Sequence, residues 1–443
     1  MAKLPEDLKP YEYLMFKNHE NREMLVAAFE LVKQLIRKHK LILTGGMAMD
    51  YAMREKGKTL YHTDVLPDFD FFSMDHATHA YELVGQLCEL SKKMGRDDRV
   101  DAIGATHPTT MRVRVNFVDS IADITYMPPN IFSAIPTFEV DGMLIEHPHV
   151  RYAFMHRALH LPYEEMPRAV ITHRWAKDMK RFNMLWELYP IQPQSWAKYS
   201  TFKVPKSYLT FSVSCLGGFG AVDYYITDAK GGKQDKNIVD KDVIEFEAPS
   251  QSNVVILTFK PKELVEYILR DVPESKRPIV KHYKPITDYL GDRYEFEDPK
   301  TGHGFEIYNL HGKLISAIKV EDLWYAGAQQ VLCQFLMFGL IYKSSEKEMY
   351  IHGYTTLLEA MQTNPMAQPI ATVLQTDNED DYVGDKIVIA RNALLVRFGK
   401  LPQPTNPIKP QALRECEKVS KFEGKKFNYA ASEYFDRDGL LMD

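Results

Sequence analysis

The chain has four cysteines in 443 residues, at positions 88, 215, 333 and 416, and no CxxC pair. That spacing supports neither a disulfide framework nor a zinc site, and it fits a reducing compartment. Long apolar runs are missing too. The N-terminal MAKLPEDLKPYEYLMF returns to charged residues before an apolar core forms, so no secretory leader is expected. The most apolar stretch, Val331 to Tyr342, is a dozen residues long and holds Gln334. A bilayer span takes about 20 residues, so a buried helix is expected there, in a soluble intracellular protein without a membrane partner. Nor is there an excess of positive charge: 55 Lys+Arg stand against 60 Asp+Glu, a net −5. This excludes a chain that coats nucleic acid by bulk charge but leaves room for local basic faces.

What is present is ordinary globular material, 45% apolar and 26% charged. The length exceeds what a single hydrophobic core usually supports, so two or three packed units are expected. Residues 19–39 carry Met24, Leu25, Ala28, Phe29, Leu31, Val32, Leu35 and Ile36 at helical spacing, with basic residues at the C-terminal end. A short strand, Leu41 to Leu43, runs into Thr44-Gly45-Gly46, and helical character resumes from Met47 to Arg54. Residues 65–72 alternate Asp68 and Asp70 with bulky apolar side chains, and 77–95 read as helix. One hairpin is expected over 111–126, turning near Asp119-Ser120, and another from Phe138 to Ile145, turning at Asp141-Gly142. Residues 150–188 read mainly as helix. The Pro-rich segment 190–205 marks a boundary, with strand-like runs at Tyr208–Val213 and Asn253–Phe259 beyond it. The expected division is a helical segment 1–39, a catalytic domain 40–195 and an α/β domain 196–443. Phe138–Ile145 and Tyr308–Ile315 share the pattern aromatic-x-aliphatic-x-Gly-x-Leu-Ile. If this is an internal repeat, the second copy lacks a paired-aspartate strand. The tail beyond Lys400 is Pro-rich and then basic (Lys418, Lys421, Lys425, Lys426).

The chemistry is concentrated in Thr44-Gly45-Gly46, Asp68-x-Asp70 and Asp123. A Gly-Gly turn opening a helix leaves backbone N–H groups free and lets an anion approach closely. Two aspartates two apart on a strand share a face and suit hard divalent cations, which take carboxylate oxygens. Two such cations, roughly 3.5–4 Å apart, clamp the attacking and leaving oxygens of a phosphoryl displacement. Asp123, on a later strand, is the candidate third ligand, ahead of Asp119 at the turn. Acids are depleted in strands, and burying a pair among Leu66, Phe69, Phe71 and Phe72 is costly unless something neutralises it.

In this order, TGGMAMDYAM, LPDFDFFS and ADITYMPP resemble the polymerase-β-like nucleotidyltransferases. The similarity is greatest to the poly(A) polymerase catalytic subunits of poxviruses and other large nucleocytoplasmic DNA viruses. The downstream HRWAKDMKR at 173–181 is similar to that group as well, and the resemblance covers about residues 40–190. It implies an α+β fold: a nucleotidyltransferase domain with a mixed sheet and helices, followed by a degenerate nucleotidyltransferase-like α/β domain. It also implies that Thr44, Gly45 and Gly46 hold the ATP phosphates, and that Asp68, Asp70 and Asp123 hold two Mg²⁺ or Mn²⁺ ions. The implied reaction transfers AMP from ATP to an RNA 3′-hydroxyl. A homodimer or a separate processivity subunit, and a viral protein in the host cytoplasm or the virion, follow as expectations. The alternatives are another nucleotidyltransferase of this fold, or a non-catalytic RNA-binding or processivity subunit.

Arg174, Lys177 and Arg181 fall on one helical face, suited to a triphosphate or an RNA backbone. Other features read as decoys. His156 and His160 are spaced as in a zincin helix, but Arg157 stands where the catalytic Glu belongs. Leu216-Gly-Gly-Phe-Gly220 lacks the dinucleotide-fingerprint spacing, and no following helix is expected. Lys230-Gly-Gly-Lys233 is a surface turn, and Trp324 and Tyr325 read as core.

Overall fold

Helix α1, Arg22–His39, realises the first periodic segment, with Glu23 in its first turn and Arg37, Lys38 and His39 in its last. In the computed structural model, Met24, Leu25, Ala28, Phe29, Val32, Leu35 and Ile36 are all buried along one stripe. The structure describes residues 22–61, 67–105, 109–116, 119–160, 180–211, 214–229, 242–258, 260–283, 293–309, 317–320 and 322–363. These form two compact units: the first runs to Arg151 and takes in Met184–Tyr189, and the second comprises the remainder.

The first unit is built on seven strands: β1 (Ile42–Thr44), β2 (Phe69–Ser73), β3 (Val100–Gly104), β4 (Thr110–Val115), β5 (Asp119–Tyr126), β6 (Thr137–Val140) and β7 (Met143–Glu146). They lie in the order β3-β4-β5-β2-β1-β7-β6. The β1–β7 and β2–β5 pairs are parallel, and every other neighbour is antiparallel. Helix α2 (Gly45–Arg54) follows β1, α3 (His76–Lys93) follows β2, and α4 (Pro129–Ala134) follows β5. The stripe of α1 packs with Leu43, Phe69, Phe71, Ile124 and Ile145 in one hydrophobic cluster. Each such buried side chain contributes roughly 1.5–3 kcal/mol to holding the centre of this sheet in place.

Helix α5 (Pro148–His160) leads out of the first unit. The second unit repeats the plan. Its strands are β9 (Ser214–Leu216), β11 (Val254–Thr258), β12 (Lys281–Tyr283), β13 (Arg293–Glu297), β14 (Gly304–Asn309), β15 (Ala317–Val320) and β16 (Leu323–Ala326). Their order is β12-β13-β14-β11-β9-β16-β15, with β9–β16 and β11–β14 parallel and the rest antiparallel. Strand for strand this is the first sheet again. A separate antiparallel pair, β8 (Tyr199–Pro205) with β10 (Val243–Pro249), is added to it. Helices α6 (Lys206–Phe211), α7 (Gly218–Ala229), α8 (Pro261–Leu269), α9 (Ala328–Met337) and α10 (Lys347–Thr363) complete the unit.

Several sequence expectations change. The repeat exists, but in another register. The hairpin Thr137–Glu146 has its counterpart in β15–β16, residues 317–326, while Tyr308 lies on β14 and 310–316 fall outside the described residues. Eight residues of hairpin pattern recur easily, and only strand order fixes which hairpin is the duplicate. Residues 206–211 form a helix rather than a strand, with Tyr208 and Leu209 buried. A helix does follow Leu216-Gly217, opening at Gly218 as α2 opens at Gly45, so Gly217-Gly218-Phe219 is the second unit's version of Thr44-Gly45-Gly46. The apolar stretch after 327 is the buried helix α9, continued by a π turn at Phe338–Tyr342. No helix among the described residues is long and apolar enough to cross a membrane. Trp324 and Tyr325 are core, as read.

His156 is buried, with Nδ1 2.7 Å from Gln329 Oε1 and Nε2 2.9 Å from the Tyr354 hydroxyl. It is therefore a hydrogen-bonded core histidine, and the side chain of His160 lies outside the described residues. Burial pushes the His156 imidazolium down to about 4. The unfolded chain then binds the extra proton first, so stability is full above the unfolded value near 6.5 and falls as pH drops towards 4. The loss from this group approaches roughly 3 kcal/mol. Thermal denaturation of wild type and His156→Gln between pH 7.5 and 4.5 should show a smaller acid-induced drop in Tm for the variant.

Candidate active site

Sheet register assembles the site. Thr44 lies opposite Asp70, Asp70 opposite Asp123, and Asp123 opposite Arg112, so one row crosses β1, β2, β5 and β4. Residues of one register row project to the same face of a sheet. Asp68 stands just before β2, two residues from Asp70 and hence on the same side. Carboxylate oxygens of Asp68, Asp70 and Asp123 all lie within 4.8 Å of one another, and all three residues are half-buried. Asp119 begins β5 at the other end of the strand, opposite Val115, away from this row.

The glycines are required by space. Gly45 has φ +69°, and a Cβ there would stand 2.0 Å from Asp70 Oδ2. A Cβ on Gly46 would stand 2.1 Å from the Tyr61 hydroxyl. Tyr61 is held there by Asp50, buried on α2, whose Oδ1 accepts hydrogen bonds from the backbone N–H groups of Leu60 (2.7 Å) and Tyr61 (3.1 Å) and from the Thr59 hydroxyl (2.7 Å). The backbone of β1 and the start of α2 thus pass directly beside the carboxylates. The first turn of α2 contains no acidic side chain that would compete with an anion for its N–H groups.

Three charged groups at the site, Arg112, Glu146 and Arg151, carry no signal in the sequence. Arg112 donates from Nε to Asp123 Oδ1 (2.7 Å) and from Nη2 to Oδ2 (2.6 Å), a bidentate pair. Those bonds, reinforced by the charges of Asp68 and Asp70, raise the guanidinium further above its ordinary range. Glu146, buried at the end of β7, accepts from Arg151 Nη1 at 3.2 Å, and the same nitrogen reaches Thr44 Oγ1 at 3.2 Å. Burial pushes the Glu146 carboxyl up, while Arg151, Thr44 and the Gly45 N–H oppose the shift. The alternation Met-Arg-Val-Arg-Val at 111–115 did signal a strand with a charged face. Only strand pairing reveals that Arg112 meets Asp123 and that Arg114 meets Asp101.

Three clustered carboxylates offer hard oxygen donors in the number a divalent cation uses from a protein when substrate and water complete its shell. The residues therefore fit the expected ions. Of the expected phosphate-contacting cations, Arg174 and Lys177 lie outside the described residues, and Arg181 is a half-buried residue of the second unit. The Lys230-Gly-Gly-Lys233 turn and the basic tail also lie outside them. Arg112→Gln leaves Asp123 without its fork beside two further acids. We expect a fall in Tm without divalent cation and a larger Mn²⁺-induced rise than in wild type, read by differential scanning fluorimetry.

Comparison with known proteins agrees with this geometry. Residues 30–165 match the family model described as poly(A) polymerase catalytic subunit. A candidate poly(A) polymerase catalytic subunit of African swine fever virus (isolate Tick/Malawi/Lil 20-1/1983) is 28% identical over 381 residues, covering 81% of this chain and 75% of that protein. One from Acanthamoeba polyphaga mimivirus is 26% identical over 325 residues, 65% of this chain and 52% of that one. The crystal structure of the Megavirus polyadenylate synthase superposes with a TM-score of 0.62 at 19% identity, covering 99% of this chain and 94% of that one. That likeness carries the fold alone. With its motifs in order and its three aspartates brought together, the chain is similar to the poly(A) polymerase catalytic subunits of large DNA viruses.

Proposed function

We propose that the protein is a template-independent poly(A) polymerase, transferring AMP from ATP to RNA 3′ ends to form the tails of viral mRNA. The observation that carries this reading is the convergence of Asp68, Asp70 and Asp123 beside a glycine whose side-chain space Asp70 fills. In the reaction, the RNA 3′-hydroxyl oxygen bonds to the α-phosphorus of ATP, the bond to the bridging α–β oxygen breaks, and pyrophosphate leaves. Two Mg²⁺ or Mn²⁺ ions, when bound, supply charge neutralisation at the attacking and leaving oxygens. The three aspartates hold those ions, Asp123 on the side of the attacking hydroxyl. Thr44, Gly45 and Gly46 present the backbone that receives the triphosphate, and the opening of α2 favours its charge. Arg112 keeps Asp123 oriented, and Arg151 ties Thr44 to Glu146, linking the nucleotide turn to β7. Arg174, Lys177 and Arg181 are assigned to phosphate or RNA backbone on their helical spacing.

A homodimer fits the need to stay on a growing tail, since a chain of net −5 has little bulk attraction for RNA. A separate processivity subunit is the alternative, and the site of action is the host cytoplasm or the virion.

Primer extension on a 3′-hydroxyl RNA with each NTP singly, in Mg²⁺ or Mn²⁺, tests the reading. An ATP-preferring ladder is expected from wild type, with a loss of at least about 10³-fold in Asp68→Ala and Asp70→Ala, both remaining folded because removal of one carboxylate relieves repulsion. A ladder from another NTP would assign a different nucleotidyltransferase. Full activity in Asp68→Ala would overturn the mechanism.

A further inference from the structure

The duplicated sheet shows what became of the same site in the second unit. The two hairpins at 137–146 and 317–326 anchor the comparison, because Leu43 pairs with Ile145 and Leu216 with Tyr325 in the same parallel arrangement. Leu43 then faces Phe71, and Leu216 faces Ile256. One residue further, Thr44 faces Asp70, while the Gly217 N–H donates to the Val255 carbonyl (2.9 Å). Asp70 therefore corresponds to Val255, and Asp68 to Asn253. Asp70 pairs with Asp123 and Val255 with Glu306, so Asp123 corresponds to Glu306. An independent check agrees. Gly218, like Gly45, has positive φ (+52°), and a Cβ on it would strike Val255 at 2.8 Å, as one on Gly45 strikes Asp70.

Of three acidic positions, one acid remains. Glu306 is 1% exposed, a costly place for a lone carboxylate. It is fully dressed. Lys343 Nζ donates to Oε1, Asn253 Nδ2 donates to the same oxygen at 2.8 Å, and the Tyr308 hydroxyl donates to Oε2 at 2.5 Å. The ammonium and these donors hold the carboxyl below its usual range in spite of burial, while burial and then the Glu306 charge drive the Tyr308 phenol up. The small cavity at this spot is walled partly by Phe219, Phe335 and Phe338, which offer a triphosphate nothing.

We propose that the Lys343 ammonium is a built-in cation occupying, in the second unit, the position that divalent metal takes in the first, so that this duplicate site is permanently neutralised and binds neither metal nor nucleotide. The proposal is independent of which reaction the first unit performs.

The test uses the full chain carrying Asp68→Ala and Asp70→Ala, which removes the first-unit site. In that background we expect no stoichiometric Mn²⁺ binding by titration with electron paramagnetic detection of free Mn²⁺. Adding Asn253→Asp, Val255→Asp and Lys343→Ser should create a site for about one equivalent of Mn²⁺ and a Tm that rises on Mn²⁺ addition. Failure of that folded variant to bind Mn²⁺ would overturn the proposal, as would stoichiometric Mn²⁺ binding at Glu306 with Lys343 in place. Should the variant not fold, a cycle on the wild-type chain decides. Lys343→Met and Glu306→Gln should each lower Tm by roughly 10 °C, and the double variant should lose far less than their sum. Additive losses would show that the ammonium does not balance Glu306, and would overturn the proposal.

Discussion

Like charge is the constraint around which the first unit is organised. Three carboxylates with oxygens inside 4.8 Å repel one another, each pair by about 4 kcal/mol at 4 Å in a half-buried setting. A loop would relax that repulsion by moving. Here two of the acids sit in central, mutually paired strands whose neighbours, Leu43, Phe69, Phe71 and Ile124, are locked in the core. The hydrophobic cluster thus maintains an electrostatic arrangement that favours binding a cation. Arg112 supplies part of the missing charge from the next strand, and its bidentate geometry fixes the orientation of the third carboxylate.

The second unit is the same scaffold with that constraint removed. Its sheet has the same strand order and polarity, and its glycine-opened helix also passes close to the neighbouring strand. Where Asp70 stands in the first, Val255 packs in the second, and Glu306 is satisfied by Lys343, Asn253 and Tyr308 within the chain. A buried ion pair of this kind is weak evidence of stability gained. It is good evidence of a site with no vacant charge. Comparing the two shows that the fold does not require acids at these positions; three of them together are a property of the first unit alone.

Much of the site was legible because its parts are local. Gly45-Gly46 beside a strand, two aspartates at strand spacing among aromatic residues, and a later acid in a hairpin each carry a short-range signature. Residues acting across strands left no such trace. Arg112, Glu146 and Asp50 look like ordinary surface charges until pairing brings Asp123, Arg151 and the Leu60–Tyr61 backbone to them. The duplicate was misregistered for the same reason: Tyr308–Ile315 matches the hairpin pattern letter by letter, whereas the true counterpart at 317–326 shares only strand position. Leu216-Gly217-Gly218 lacks the dinucleotide-fingerprint spacing, so its sequence carries no chemical signal, and only the sheet shows that it stands where Leu43-Thr44-Gly45 does.

The sequence by itself determined the chemistry available to this protein: which acids, which glycine turn, and which apolar periodicities would form helices and strands. These depend on neighbours one to four residues apart, so the chain spells them directly. Tertiary structure decided which of those groups meet. Strand order and register set Asp70 against Asp123 and Asp123 against Arg112, and in the second unit set Val255 against Glu306. Register is fixed by burial of one whole face of each sheet, a collective property of many side chains, so no short stretch of sequence records it.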